Sequence, residues 1–288
     1  MWLILGGYGQ LGKCLQDSLN SRGISFTAMG HNDVDITEFA AVSTVMQQIK
    51  PDVVVNAAAW TAVDNAEDHE EAAYLVNCVG ARNIAKCVAR DNSVLVHIST
   101  DYVFSGSSSS PLSETDQTSP LSAYGRTKLA GELAVLEENS ASSLIVRTAW
   151  LYSPFGSNFA RTMVRKALKN DPVRVVDDQY GQPTLASDLA DHVLTLVEGV
   201  APSGIYHGTN SGKTSWFEFA TEIFRLVGSD PELVTAVHGS EYPTRAMRPQ
   251  YSVLGHDNTI RSGFEEMQPW MEALSQSIPQ IVARITQE

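Results

Sequence analysis

The chain has 288 residues, 43% of them hydrophobic and 18% charged, enough for one large core or two modest ones. A formal net charge of −13 argues against a nucleic-acid surface, which needs a basic stripe. No apolar run reaches membrane-span length, and the start "MWLILGGYGQ", apolar for only a few residues, is not expected to be a signal peptide. Three scattered cysteines, Cys14, Cys78 and Cys87, suit a reducing cytoplasm and show no metal-ligand spacing.

In chain order, Trp2–Leu5, Ile24–Met29, Asp52–Ala59, Ser93–Ser99 and Ser142–Thr148 read as short strands apolar on both faces. Amphipathic helical patterns over Gly9–Leu19, Glu38–Gln48 and Ala72–Arg90 lie between them. That alternation predicts an α/β fold, a Rossmann-type doubly wound parallel sheet. Thr37 before Glu38 predicts the N-cap of the second helix. The serine run Ser105–Pro111 is a loop beside the fourth strand, either a lid or an exposed connector. Beyond about residue 150, prolines from Pro154 to Pro269 punctuate shorter elements. This predicts a nucleotide-binding domain over 1–150, with part of 184–200 returning to it. The rest of 151–288 then forms a smaller α/β substrate domain on the sheet's carboxyl edge.

The stretch "GGYGQLG" follows the first strand and opens the first helix, with Gly6, Gly9 and Gly12 three residues apart. Glycines there allow a tight turn and close approach of backbone to a pyrophosphate, whose charge the helix N-terminus stabilises. Gln10 and Leu11 complete that cofactor face. The spacing resembles the extended branch of the short-chain dehydrogenase/reductase superfamily. At the end of the second strand, Met29-Gly30-His31-Asn32 offers no carboxylate until Asp33. A 2′-phosphate is tolerated beside His31, so NADPH is favoured, with NADH left open. Asp35 and Ile36 are read against the adenine, and Ala57, Ala58 and Ala59 after Asn56 let backbone lie flat on a cofactor. Thr61, Asn77 and Ser99 are assigned to the cofactor side as well.

Three residues then suit carbonyl reduction. Tyr124 and Lys128 in "AYGRTK" stand four apart, on one helix face. When hydride reaches a carbonyl carbon, charge grows on oxygen, and a tyrosine hydroxyl can protonate it. An ammonium one turn away favours the phenolate and lowers the tyrosine pKa. Thr100, at the end of the fourth strand, can hydrogen-bond the carbonyl. Tyr102 lacks a lysine at helical spacing and is read as a substrate contact.

Taken with these, "VVNAAAWTAVDNAE", "STDYVFSG", "VRTAWLY", "NFARTM", "DDQYGQPT" and "MRPQYSVL" resemble the dTDP-4-dehydrorhamnose reductases over nearly the whole chain. The resemblance implies NADPH-dependent reduction of the 4-keto group of dTDP-4-dehydro-6-deoxy-L-mannose to dTDP-L-rhamnose. It implies that Val63, Thr100, Asp101, Tyr102, Tyr124 and Trp150 meet the sugar, and that Asn158 and Arg248 approach the diphosphate. Gln182, within Gln179–Thr184, is placed on the nucleotide side; Arg161, Arg165 and Lys166 are read as a solvated helix face. Some members have a magnesium-binding glutamate two residues past the last loop glycine. Cys14 stands there, a poor magnesium ligand, so a monomer or weak homodimer is expected.

Rival readings follow from the same fold. A 4,6-dehydratase needs an Asp-Glu pair after the strand-four threonine, whereas here Thr100 is followed by Asp101 and Tyr102. An epimerase would retain and regenerate NAD. A reductase of another dTDP-4-ketosugar shares every motif named. A non-catalytic subunit resembling the regulatory subunit of methionine adenosyltransferase would not need Tyr124, Lys128 and Thr100 together.

Overall fold

The computed structural model describes residues 1–288. Strand and helix alternate at first: β1 (Trp2–Leu5), α1 (Gln10–Ser21), β2 (Phe26–Met29), α2 (Phe39–Ile49) and β3 (Val53–Asn56). Short helices α3 (Val63–Ala66) and α4 (Glu70–Tyr74) lead to α5 (Ala81–Asp91), β4 (Val94–Thr100), α6 (Ala123–Asn139) and β5 (Ser143–Thr148). Next come β6 (Leu151–Tyr152), α7 (Phe159–Leu168), β7 (Val173–Val176), β8 (Tyr180–Gly181), β9 (Thr184–Leu185) and α8 (Ala186–Glu198). The chain ends with β10 (Gly204–His207), β11 (Thr214–Ser215), α9 (Trp216–Val227), β12 (Val234–Val237), α10 (Asp257–Arg261) and α11 (Trp270–Ile285).

Six strands form one parallel sheet in the order β10-β5-β4-β3-β1-β2. Strands β1, β3 and β5 are buried throughout, because helices cover both faces. On one face α1 packs on α8, with Leu15 and Leu19 sharing a core with Leu189 and Val193. On the other, Met46, Ile84, Val88 and Val135 of α2, α5 and α6 close a second layer. A third core lies apart from the sheet, where Val164, Phe219, Phe224, Leu274 and Ile278 join α7, α9 and α11. The chain leaves β1 on one side for β2 and returns on the other for β3. The carboxyl ends of β1 and β3 are therefore the switch point at which open α/β sheets take ligands.

Three local readings change, and a fourth that was left open is narrowed. The helix expected over Ala72–Arg90 is broken: Leu75–Gly80 is a π-helical stretch between α4 and α5. The wider turn carries Asn77, whose carboxamide bonds the Trp60 backbone at 2.9 and 3.2 Å and the Thr127 hydroxyl at 3.0 Å. Thr37 is not an N-cap; its N–H and hydroxyl both donate to Asp35, and Glu38 precedes α2 without a side-chain cap. Arg161 is not solvated: it is 2% exposed and donates to the Pro154 carbonyl and to both Glu288 carboxylate oxygens. The serine loop is an exposed connector tied down at its ends, Tyr251 donating to the Gly106 carbonyl and Leu112 to that of Val253.

The buried histidines make the fold acid-labile. Burial pushes His207 down to about 3 and His192 to about 4, and lowers His97 and His256. These rings stay neutral in the fold but take protons in the unfolded chain below pH ~6.5. The unfolded state then binds more protons, so stability is lost as pH falls from ~6.5 toward the folded values. Asp101, pushed up to about 6 by burial, offsets part of this loss. Urea melts at pH 7 and pH 4.5 should show a net fall of at least about 3 kcal/mol; equal stabilities would contradict the neutral histidine cluster.

Candidate active site

A cleft of about 1010 Å³ runs over the carboxyl ends of β1, β3 and β4 and reaches the third core. One end is built on the glycine turn. Gly6 adopts φ +81°, and a Cβ on it would lie 2.6 Å from the Ala57 carbonyl carbon and the Ala58 nitrogen. A Cβ on Gly12 would lie 2.4 Å from the Gly6 carbonyl oxygen. A side chain at either position would strike the chain's own backbone, so the tight turn that opens onto the cleft requires glycine. Gly12→Ala should therefore weaken NADPH binding at least tenfold in a fluorescence titration; unchanged affinity would show that the turn does not cradle the cofactor.

Gly9, Gln10, Leu11, His31, Asp35, Ile36, Ala57, Ala58, Ala59 and Thr61 also line the cleft. Asn56 fixes the alanine run, its carboxamide oxygen accepting from Ala58 and its nitrogen 3.1 Å from His97 Nδ1. Asp33, which the sequence left beside the 2′-position, stays exposed but is held by its own turn. Its carboxylate accepts from the Gly30 N–H at 2.8 Å and bonds the Tyr8 phenol, and the Gly30 bond chiefly holds it below the usual carboxylate range. The Ser99 and Thr148 hydroxyls are buried in the cleft wall without partners in the fold. Asn77, assigned to the cofactor from sequence, is instead buried behind the wall with its carboxamide satisfied.

The floor brings Thr100, Tyr124 and Lys128 together. Ser122 caps α6 by accepting from Gly125, so Tyr124 stands in the helix's first turn with Lys128 one turn further. The close passage of Gly125 under the Tyr102 carbonyl, where a Cβ would sit at 2.2 Å, seats this helix against the end of β4. Burial pushes the Tyr124 hydroxyl up to about 12, against a smaller downward pull from the Thr100 hydroxyl. Burial also lowers Lys128 to about 8, and its ammonium donates to the Ile98 carbonyl at 2.5 Å. The expected lowering of the tyrosine by the lysine is not seen: burial, helped by the nearby Asp101, raises the hydroxyl, and only the Thr100 hydroxyl pulls it down. A proton on Tyr124 at neutral pH is what an acid for carbonyl reduction needs.

Beside the floor, Tyr102 meets Tyr124 edge-on with ring centres 5.5 Å apart, and Thr100 donates to Asp101 at 3.0 Å. Val63 and Trp150 complete this part of the wall. Trp150 has φ +46° and stacks on Trp216 at 3.6 Å. Trp216 and Phe159, both lining the cleft, were absent from the sequence reading; only their aromatic character hinted at them. Asn158 caps α7 and donates to Gln10 Oε1 at 2.8 Å, so it bridges the glycine helix to the third core.

Two substrate assignments change. Gln182 is 2% exposed, and its carboxamide is consumed by the N–H and carbonyl of Leu254, so it holds that segment in place. Arg248 does not offer a free guanidinium; both its Nη groups bond the Asp64 carboxylate, at 2.7 and 2.6 Å. Asp64 lies 184 positions away, a partnership no local spacing could reveal.

Across residues 1–283 the sequence matches the family model described as the RmlD substrate binding domain. The chain belongs to this family. It is 45% identical to a dTDP-4-dehydrorhamnose reductase of Streptomyces griseus, over 98% of this chain and 94% of that one. It is 46% identical to a dTDP-4-keto-6-deoxy-D-glucose reductase of Streptomyces niveus, over 96% of each chain. The structure of a dTDP-4-dehydrorhamnose reductase from Bacillus anthracis in complex with NADP superimposes with a TM-score of 0.93 at 38% identity, covering 97% of this chain and 98% of that one. A UDP-glucose 4-epimerase from Thermus thermophilus, 19% identical with a TM-score of 0.83, shares the fold. No helix is long and apolar enough to cross a membrane.

Proposed function

We propose that the protein reduces the 4-keto group of dTDP-4-dehydro-6-deoxy-L-mannose with NADPH, giving dTDP-L-rhamnose. The observation that carries this reading is the meeting of Thr100, Tyr124 and Lys128 on the floor of a cleft whose other end is a glycine cradle. The unpartnered Ser99 and Thr148 hydroxyls and the crowded Gly6 and Gly12 fit a dinucleotide. NADPH supplies hydride to the carbonyl carbon when bound. Thr100, whose hydroxyl otherwise donates to Asp101, turns that proton to the carbonyl oxygen and aligns it. Tyr124 gives that oxygen its proton as charge grows there, which its raised pKa permits because an alkoxide is more basic than a phenolate. Lys128 lies one turn away, placed to stabilise the phenolate left behind. Val63, Asp101, Tyr102 and Trp150 surround the sugar.

A second reading, reduction of another dTDP-4-ketosugar, is favoured by the 46% identical relative named for dTDP-4-keto-6-deoxy-D-glucose. Loss of NADPH absorbance with each 4-ketosugar, followed by product identification, separates the two. The reading fails if neither sugar is turned over.

The same proposal assigns residues 1–150, together with α8 and β10, to the nucleotide-binding unit and the remainder of 151–288 to the sugar unit. It takes the protein as a cytoplasmic monomer or weak homodimer without a bridging magnesium. Cys14 supports this: burial pushes its thiol up to about 12, which keeps it protonated and unsuited to the metal. Light scattering with and without magnesium tests the point; a magnesium-dependent dimer would overturn it.

A further inference from the structure

The helix that carries Tyr124 and Lys128 carries a third buried polar residue at the same spacing, Glu132, 1% exposed. Residues four apart on a helix stand one above the other, so Tyr124, Lys128 and Glu132 form one line running inward from the cleft. The carboxylate of Glu132 is met from β5 by Arg147, 2% exposed, through two parallel bonds: Nε to Oε1 at 2.9 Å and Nη2 to Oε2 at 2.7 Å. That guanidinium also lies 5.0 Å from the ring centre of Phe104, directly after the turn that bears Thr100 and Tyr102. Phe104 in turn meets His207 of β10 edge-on, 6.0 Å away. None of Glu132, Arg147 and Phe104 lines the cleft. An ion pair this deep is costly, and apolar side chains of similar volume would often serve stability as well. Its place in the line above suggests a task that apolar residues would not perform.

We infer that Glu132, oriented by Arg147, is a positioning residue for the reaction: it sets a fixed negative charge one turn behind the Lys128 ammonium and ties the Tyr124 helix to the turn carrying Thr100. This rests on the reading of Tyr124 and Lys128 proposed above. The groups facing Lys128 leave Glu132 as its source of negative charge. From β4 it meets the Ile98 carbonyl and the neutral His97, and from its own helix the protonated Tyr124. Burial lowers Lys128 and Glu132 opposes that shift. Without the carboxylate, the lysine loses its proton at lower pH. An active enzyme needs the ammonium, so turnover then fails at lower pH too.

The test compares kcat against pH, from 6 to 9.5, for the wild-type protein, Glu132→Gln and the double variant Glu132→Met/Arg147→Leu. NADPH affinity and thermal midpoint are measured alongside. Glu132→Gln should move the alkaline limb of kcat down by about one pH unit, with NADPH affinity within a few-fold of wild type. The double variant removes the unpaired buried charge, so it should melt near wild type while its limb stays displaced. A wild-type limb in either folded variant overturns the inference, since a merely structural pair moves the melting point and leaves the profile in place. Absence of NADPH-dependent turnover in the wild-type protein would instead overturn the proposed function, so the two failures are distinct.

Discussion

Replacing Tyr124 by phenylalanine is expected to lower kcat about 10²–10⁴-fold while NADPH affinity changes less than about threefold. The ring, its edge contact with Tyr102 and the helix position are kept; only the proton is lost. Of the hydroxyls beside it, that of Thr100 already donates to Asp101, and burial raises the Tyr102 phenol well above its ordinary range. Neither is a ready substitute. Single-turnover traces with NADPH and the 4-ketosugar would separate chemistry from binding. Near-normal turnover by the variant would move the acid role elsewhere, with Tyr102 the first candidate on grounds of place.

The second large effect concerns the scaffold under that tyrosine. Arg147→Ala should destabilise the protein by about 3–5 kcal/mol, because it leaves the Glu132 carboxylate buried without its two charge-assisted bonds. It also removes the side chain that packs on Phe104. Denaturant melts at pH 7 provide the check, and a loss under about 1 kcal/mol would mean that water reaches the carboxylate. Exposed pairs offer a contrast. Arg82 with Glu137, at 3.2 Å and largely solvated, should cost well under 1 kcal/mol when broken.

Much of this architecture was legible in the sequence, and for a common reason. Buried parallel strands must be apolar on both faces, so Trp2–Leu5 and Val53–Asn56 could be read directly. The glycine turn was legible because the crowding at Gly6 and Gly12 admits no side chain, and Tyr124 with Lys128 because helical spacing is local. What local pattern encodes is the backbone's shape and the residues of one turn. Partners far apart in the chain are another matter. Nothing near Arg248 announces Asp64, nor does anything near Gln182 announce Leu254, and in both cases the partner decided the role. The π-helical stretch at Leu75–Gly80 was hidden likewise, since it depends on where Asn77 finds Trp60 and Thr127. The tyrosine's pKa shows the same division. Sequence supplied the lysine one turn away, whereas only burial, a property of the whole packed cleft, placed the hydroxyl near 12. Local pattern picked out the groups proposed to react; the tertiary structure shifts their pKa values and leaves Gln182 and Arg248 outside the cleft lining, because desolvation and long-range pairing exist only once the chain has folded.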